Sequence, residues 1–223
     1  MGAALRRYFI TSTGTGVGKT FTTCALIRQA RGLGKRVVAT KPLISGFDKT
    51  KIEESDTGAI LAALGEPPSD ETVARISPWR FSAPLAPNMA AAAEGTAVDC
   101  GGLFAHSRAF LAQHADVALI EGVGGVMVPL DARTTVLDWI AACAIPAILV
   151  VGDYLGTISH TLTALEVLKM RGVPVAAVVI SAGEGAEVPF AATCDDLAAR
   201  VAPIPVLPLP RGATGAELAG LVT

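Results

Sequence analysis

Aromatic residues are scarce in this chain, at 5%, and charged residues reach only 17%. Basic and acidic side chains nearly cancel, 18 against 20, for a formal net charge of −2. That balance excludes the broad basic surface with which proteins hold nucleic acid or anionic membranes. Any anionic ligand must be held by a local site, and neither a nucleic acid nor a membrane is expected as partner. Cys24, Cys100, Cys143 and Cys194 are scattered, without metal-ligand spacing, and His106, His114 and His160 form no ligand pair. A zinc centre is therefore not expected, and each thiol, in an apolar or helical setting, is expected reduced and buried. Apolar runs of membrane-span length are missing, as is a charged leader followed by a long apolar stretch. The compartment these absences suggest is a reducing cytoplasm.

Hydrophobic residues, in contrast, make up 51% of the chain, and the mean hydropathy is +0.51. A length of 223 residues suits one sizeable α/β domain, 1–223, whose elements are mostly buried. Short β-branched runs predict strands at 8–11, 36–41, 117–120, 147–151 and 175–180, with a weaker one at 204–207. Ala/Leu-rich stretches between them predict helices at 19–33, 56–64, 103–114, 136–143, 159–171 and 188–201. Such alternation implies a three-layer, doubly wound, mainly parallel sheet covered on both faces. Two stretches break the rhythm. Residues 67–99 carry dense prolines and read as a long connection with short helices, since prolines interrupt central strands. The tail at 203–210, with four prolines, reads as a strand end and an extended loop.

The densest signal follows the first strand. Thr11-Ser12-Thr13-Gly14-Thr15-Gly16-Val17-Gly18-Lys19-Thr20 joins it to the helix that continues through Phe21. Closely spaced glycines let backbone N–H groups curl around an anion, and the helix N-terminus behind them adds partial positive charge. Lys19 supplies an ammonium for the outer phosphates of a nucleoside triphosphate such as ATP, and the Thr20 hydroxyl is placed to ligate Mg²⁺. The strict P-loop pattern wants glycine where Thr13 stands. The shifted Gly14 and Gly16 resemble the deviant loops of dimer-forming P-loop ATPases. Many of those begin the loop with a lysine where this chain has Gly14.

Ligands of doubly wound sheets gather at the carboxyl ends of the strands, so the residues there carry the chemistry. Lys41-Pro42-Leu43-Ile44-Ser45-Gly46 follows the second strand. Lys41 either faces an anion or reaches solvent along its alkyl stem, and spacing alone does not separate the two. Asp56 precedes a helix starting at Thr57 and suits either an N-cap or an Mg²⁺ ligand. Glu121 closes the apolar run 117–120 and leads into Gly122-Val123-Gly124-Gly125. A carboxylate ending a buried strand, followed by glycines that allow close approach, suits a second metal ligand. Thr20, Asp56 and Glu121 with phosphate oxygens make an oxygen set of the kind Mg²⁺ prefers. After the fourth strand, Gly156-Thr157-Ile158-Ser159 opens a helix that Thr157 or Ser159 can cap, and its free N–H groups make a second anion site.

Taken together, TGTGVGKT, KPLISG, EGVGG and LGTISH resemble the dethiobiotin synthetase family in order and spacing, over residues 8–180. The resemblance implies a homodimeric enzyme of biotin synthesis using 7,8-diaminononanoate, CO₂ and MgATP. It assigns Lys41 to the carbamate, Lys19 to the γ-phosphoryl group, and Thr15 and Ser45 to hydrogen bonds with carbamate and diamine. Nucleotide contacts fall to Gly16, Val17, Gly18, Lys19, Thr20, Phe21, Asp56, Glu121, Gly122, Val123 and Gly124, with Ser181, Pro208, Leu209 and Pro210 around the base. Ser45, Gly124, Gly156, Thr157, Ile158 and Ser159 are assigned to the diamine, the last four to its carboxylate across the dimer interface. The chain departs from the family at Gly14, often aspartate, at Gly16, sometimes glutamate, and at Ser159, commonly asparagine. Ser181 replaces an asparagine that reads adenine in several members, which implies relaxed base selectivity. Two rivals remain: a corrinoid-type amidating enzyme, for which the chain has no amidotransferase domain, and a nucleotide-dependent switch or scaffolding ATPase, which KPLISG disfavours.

Overall fold

The computed structural model describes residues 5–183 and 188–223. Strand β1 (Arg6–Ser12) runs through the centre of a parallel sheet and hands the chain to α1 (Lys19–Gly32). β2 (Val37–Thr40), β3 (Leu43–Ser45), α2 (Asp56–Leu64), α3 (Asp70–Ile76), β4 (Trp79–Phe81), α4 (Pro87–Ala93) and α5 (Cys100–Leu111) follow. The second half alternates β5 (Val117–Glu121), α6 (Val136–Cys143), β6 (Ala147–Gly152), α7 (Thr157–Met170), β7 (Val175–Ser181), α8 (Phe190–Val201) and β8 (Val206–Leu209), then α9 (Ala219–Val222). The main sheet has six strands in the order β2-β5-β1-β6-β7-β8, every pair parallel.

Because side chains alternate along a strand, Phe9 and Ile10 face opposite sides of the sheet and seed two cores. Phe9 packs edge-to-face on Trp139, at 4.9 Å between ring centroids, in the layer that includes α5 and α6. The buried Trp139 indole donates to Ser107 Oγ at 2.8 Å, which satisfies its one polar atom. Ile10 joins Leu26, Ile27, Ile60 and Leu61 of α1 and α2 on the other side. β5 and β6 are buried along their full lengths, as strands covered on both faces must be.

Several boundaries differ from the sequence expectation. β2 stops at Thr40, because the next amide, Lys41 N, turns away to Ile76 O at 3.0 Å. α5 starts three residues earlier than expected, at Cys100, since Asp99 caps it by accepting from Gly102 N at 2.8 Å. The last strand is Val206–Leu209 rather than 204–207, and it contains Pro208. It tolerates proline because it is the edge of the sheet, where no ladder donor is needed on the outer side. The connection at 67–99 holds short helices as expected, and also β4, which pairs in parallel with β3 as a separate two-stranded sheet. Of the four free thiols only Cys24 and Cys143 are buried; Cys100 and Cys194 are half-exposed, which corrects the expectation for those two. No helix among the described residues is long and apolar enough to cross a membrane.

Candidate active site

The turn between β1 and α1 lies at the carboxyl edge of the sheet, beside the ends of β5, β6 and β7. Gly18 caps α1 in the left-handed conformation, with φ 98°, and no side chain caps this helix end. A Cβ on Gly18 would sit 2.2 Å from Ser181 Oγ, so both backbone sign and space demand glycine there. The helix N–H groups are thereby left to an anion. Lys19 folds back over the loop and donates to Ser12 Oγ and to Gly14 O, each at 3.0 Å. Burial, and then the neighbouring Lys41 charge, lower its pKa to about 8. Ser12 was not singled out from the sequence; its place at the junction of a buried strand and the loop was the available signal. Its hydroxyl also lies 2.8 Å from Gly124 O, which ties the P-loop to the glycine loop after β5.

Two strand ends, at Lys41 and Glu121, and two helix starts, at Thr20 and Asp56, converge next to this loop. Thr20 Oγ1 donates to Glu121 Oε1 at 2.7 Å, and Lys41 Nζ donates to the same oxygen at 2.8 Å and to Asp56 Oδ2 at 2.5 Å. Lys41 is 3% exposed, so its ammonium does not reach bulk water along the stem. Burial alone would lower its pKa, but Glu121 and Asp56 outweigh burial and hold it above the ordinary lysine value. Asp56 is pushed up by burial and pulled down more strongly by Lys41, and stays low. Glu121 is fully buried, and its Oε2 has no hydrogen-bond partner among the described residues.

Lys19, Thr20, Lys41 and Asp56 line a cavity of about 700 Å³ together with Thr15, Gly16, Gly18, Phe21 and Ser45, and Glu121 lies behind its wall. Ile44, Val123 and the segment 84–87 form its apolar wall. The Ser45 hydroxyl is buried without a hydrogen-bond partner. Val17 lies against Gly152, and Gly122 against the Phe9 ring, both as framework around the loop. Ser181 is 5% exposed, and the end of β7 stands against the P-loop at Gly18; Leu209, flanked by Pro208 and Pro210, is in register with Ser181 on β8.

Two expectations about caps are corrected. Asp56 is not the N-cap of α2; Ser55 is, accepting from Gly58 N at 3.1 Å, which leaves the Asp56 carboxylate to Lys41. Neither Thr157 nor Ser159 caps α7. Gly156 does so at φ 100°, while the Thr157 hydroxyl turns back to Gly152 O at 2.6 Å. Gly156, Thr157, Ile158 and Ser159 do not line the cavity that holds Lys41.

A loop of this build, seated where a central strand meets its helix, places the chain among the P-loop nucleotide-binding proteins. Solved structures agree at the level of fold. Septum site-determining protein MinD of Pyrococcus horikoshii, complexed with Mg-ADP, is 18% identical with a TM-score of 0.53, covering 98% of this chain and 94% of that one. MinD of Pyrococcus furiosus gives a TM-score of 0.55 at 16% identity, covering 98% of each. The family described as AAA domain matches residues 6–209. ATP-dependent dethiobiotin synthetase of Phenylobacterium zucineum is 45% identical over 219 residues, 97% of this chain and 94% of that protein. Its counterpart from Methylobacterium nodulans is 44% identical over 209 residues, 92% of each. The chain belongs to the dethiobiotin synthetase family.

Proposed function

We propose that this chain, acting as one domain over residues 1–223, converts 7,8-diaminononanoate, CO₂ and ATP to dethiobiotin, ADP and phosphate in the cytoplasm. The observation that carries this reading is one cavity holding the P-loop lysine, a second buried lysine and an unpartnered serine hydroxyl. One amine adds to CO₂ and loses a proton, giving a carbamate. A carbamate oxygen attacks the γ-phosphorus as the bond to ADP breaks, and a carbamic–phosphoric anhydride forms. The second amine attacks the carbonyl carbon, phosphate leaves with the bonding pair, and the ring nitrogen loses a proton.

Negative charge accumulates first on the carbamate and then on the transferring phosphoryl oxygens, so preformed cations matter more than a strong base. Lys41 is fully cationic, lies within the cavity and stabilises the carbamate; Lys19 follows the γ-phosphoryl group. Thr15 and Ser45 orient carbamate and diamine. Thr20, Asp56 and Glu121 would hold Mg²⁺ together with phosphate oxygens. The donor set is all oxygen, and the buried, unpartnered Glu121 Oε2 suits a cation. Bound there, Mg²⁺ supplies charge compensation to the polyphosphate. The segment 84–87 and Ile44 offer an apolar bed for the methylene chain. Following the family resemblance, its terminal carboxylate is assigned to Gly156–Ser159 of a second copy in a homodimer; within one chain those residues do not line the cavity.

Incubation with diaminononanoate, labelled bicarbonate and MgATP tests the whole scheme. Label is expected in a base-stable cyclic urea, with nucleotide cleavage dependent on the diamine. Hydrolysis of ATP without diamine and without labelled urea would instead support a switch ATPase. Base selectivity has its own test. Ser181→Asn is expected to raise the ratio of kcat/KM for ATP over CTP and GTP by about tenfold, the value of one well-placed hydrogen bond. An unchanged nucleotide profile would place base recognition elsewhere.

A further inference from the structure

The first turn of α2 carries Asp56, yet half of what fixes that turn lies in the proline-rich connection. Thr57 and Ser77 are both fully buried, and their hydroxyl oxygens are 2.7 Å apart. Replacing both members of a buried hydrogen bond by apolar groups of the same shape is close to neutral, so packing alone does not require this pair. What the hydroxyl pair adds is direction: it sets the rotation of the α2 first turn against the connection. From the other side, the 3₁₀ turn Ile52–Glu54 packs so closely that a Cβ on Gly58 would meet Ile52 O at 2.1 Å. The turn bearing Asp56 is thus held between the Ser77 hydroxyl on one side and the Ile52–Glu53 backbone on the other.

The same short segment reaches the other functional strand. Ile76 O accepts from both Lys41 N, at 3.0 Å, and Thr40 Oγ1, at 2.8 Å, and Trp79 N donates to Pro42 O at 3.0 Å. β4 then pairs with β3, which carries Ser45. Ile76 and Ser77 therefore fix Lys41 and Asp56 relative to each other, although neither lines the cavity.

We propose that Thr57 and Ser77 are positioning residues for Asp56, holding its carboxylate where it serves both Lys41 and a divalent cation. This rests on the proposed assignment of Asp56 as a metal ligand. Outer partners of metal ligands alter affinity by roughly ten- to a hundredfold when removed.

The test measures Mn²⁺ affinity of the full-length protein with ADP present, by the paramagnetic resonance signal of free Mn²⁺, alongside thermal unfolding. Thr57→Val and Ser77→Ala are each expected to weaken Mn²⁺ binding about tenfold, and the double variant no more than either alone, because they remove one shared interaction. Thr57→Ser keeps the hydroxyl and is expected to restore wild-type affinity. In turnover the Thr57→Val defect is expected in the Mg²⁺ concentration needed for half-maximal rate, with kcat recovered at saturating Mg²⁺. Should Thr57→Val fail to fold, Ser77→Ala with Ser77→Thr as rescue carries the same comparison. Wild-type Mn²⁺ binding in Thr57→Val and Ser77→Ala, with Asp56→Ala weakened, would overturn the positioning role and leave the metal assignment standing. Unchanged binding in Asp56→Ala would overturn both. A loss that Thr57→Ser does not recover would reduce the pair to ordinary packing and overturn the proposal.

Discussion

Lys41→Gln is expected to lower the rate of dethiobiotin formation by about a hundred- to a thousandfold, the scale of removing a charge-stabilising donor from a preformed site. The amide matches the length of the lysine stem poorly and carries no charge, so the carbamate and the two carboxylates lose the ammonium that contacts them, and Lys19 acts on the carboxylates only from a greater distance. Glu121 is fully buried, and Lys41 is the ammonium that faces it at 2.8 Å. Breaking a buried ion pair from one side costs about 3–5 kcal/mol, because the remaining charge is stranded. Here the loss is moderated, since Thr20 still donates to Glu121 and the Asp56 side chain is 45% exposed. The variant should therefore remain folded, with a lowered melting temperature, while the backbone of its nucleotide-binding loop is kept. Product formation and nucleotide affinity, measured side by side, separate the two effects. Near-normal turnover would remove Lys41 from the chemistry.

Glu121 was readable from sequence for the reason that makes Lys41 matter. A carboxylate that closes the apolar run 117–120 has nowhere to go but inward, and an inward charge needs a partner. Lys41 was not decidable in the same way, because a lysine at a strand end can bury its stem and still wet its ammonium. What decides it is the turn of the backbone at Lys41 N toward Ile76 O, a contact from a segment 35 residues further along the chain, which no local pattern encodes. Asp56 failed as a cap by a single position. Ser55 and Asp56 are both favoured caps, and the choice between them follows from Ser55 adopting φ −84° and ψ 161° before the helix. At Gly156 the outcome is again backbone geometry, since a left-handed glycine takes the cap position and frees Thr157 to bond backward. β3 and β4 were missed because three residues cannot show a two-residue period. Their existence still matters, as they carry Ser45 and join the proline-rich connection to the site. The alternating strands and helices, with long apolar runs, were the legible part; the bonds that orient polar groups across distant segments were not.

Lys19→Gln is expected to weaken nucleotide binding and to cut turnover by about a thousandfold as well, and the pH dependence of binding distinguishes its role from that of Lys41. Burial, reinforced by Lys41, lowers Lys19 from the ordinary 10.5 to about 8 in the folded protein. Between those values the unfolded chain binds the proton that the folded chain has released, so this group's contribution to stability rises with pH through that window. Below about pH 8 the buried ammonium is a standing cost, and a triphosphate removes that cost by pairing with it. Nucleotide binding must then favour protonated Lys19 and take up a proton near pH 8. Affinity should fall as pH rises from 7 to 9 even though the unliganded fold gains stability over part of that range. Titration calorimetry in two buffers of different ionisation enthalpy reads the proton uptake directly, and Lys19→Gln should abolish it. If the variant still takes up a proton on binding nucleotide near pH 8, the titrating group is another residue. Lys41 gives no such signal, because its two carboxylates hold it protonated throughout. One lysine therefore takes up its proton from the buffer as the ligand binds, and the other brings its proton already in place.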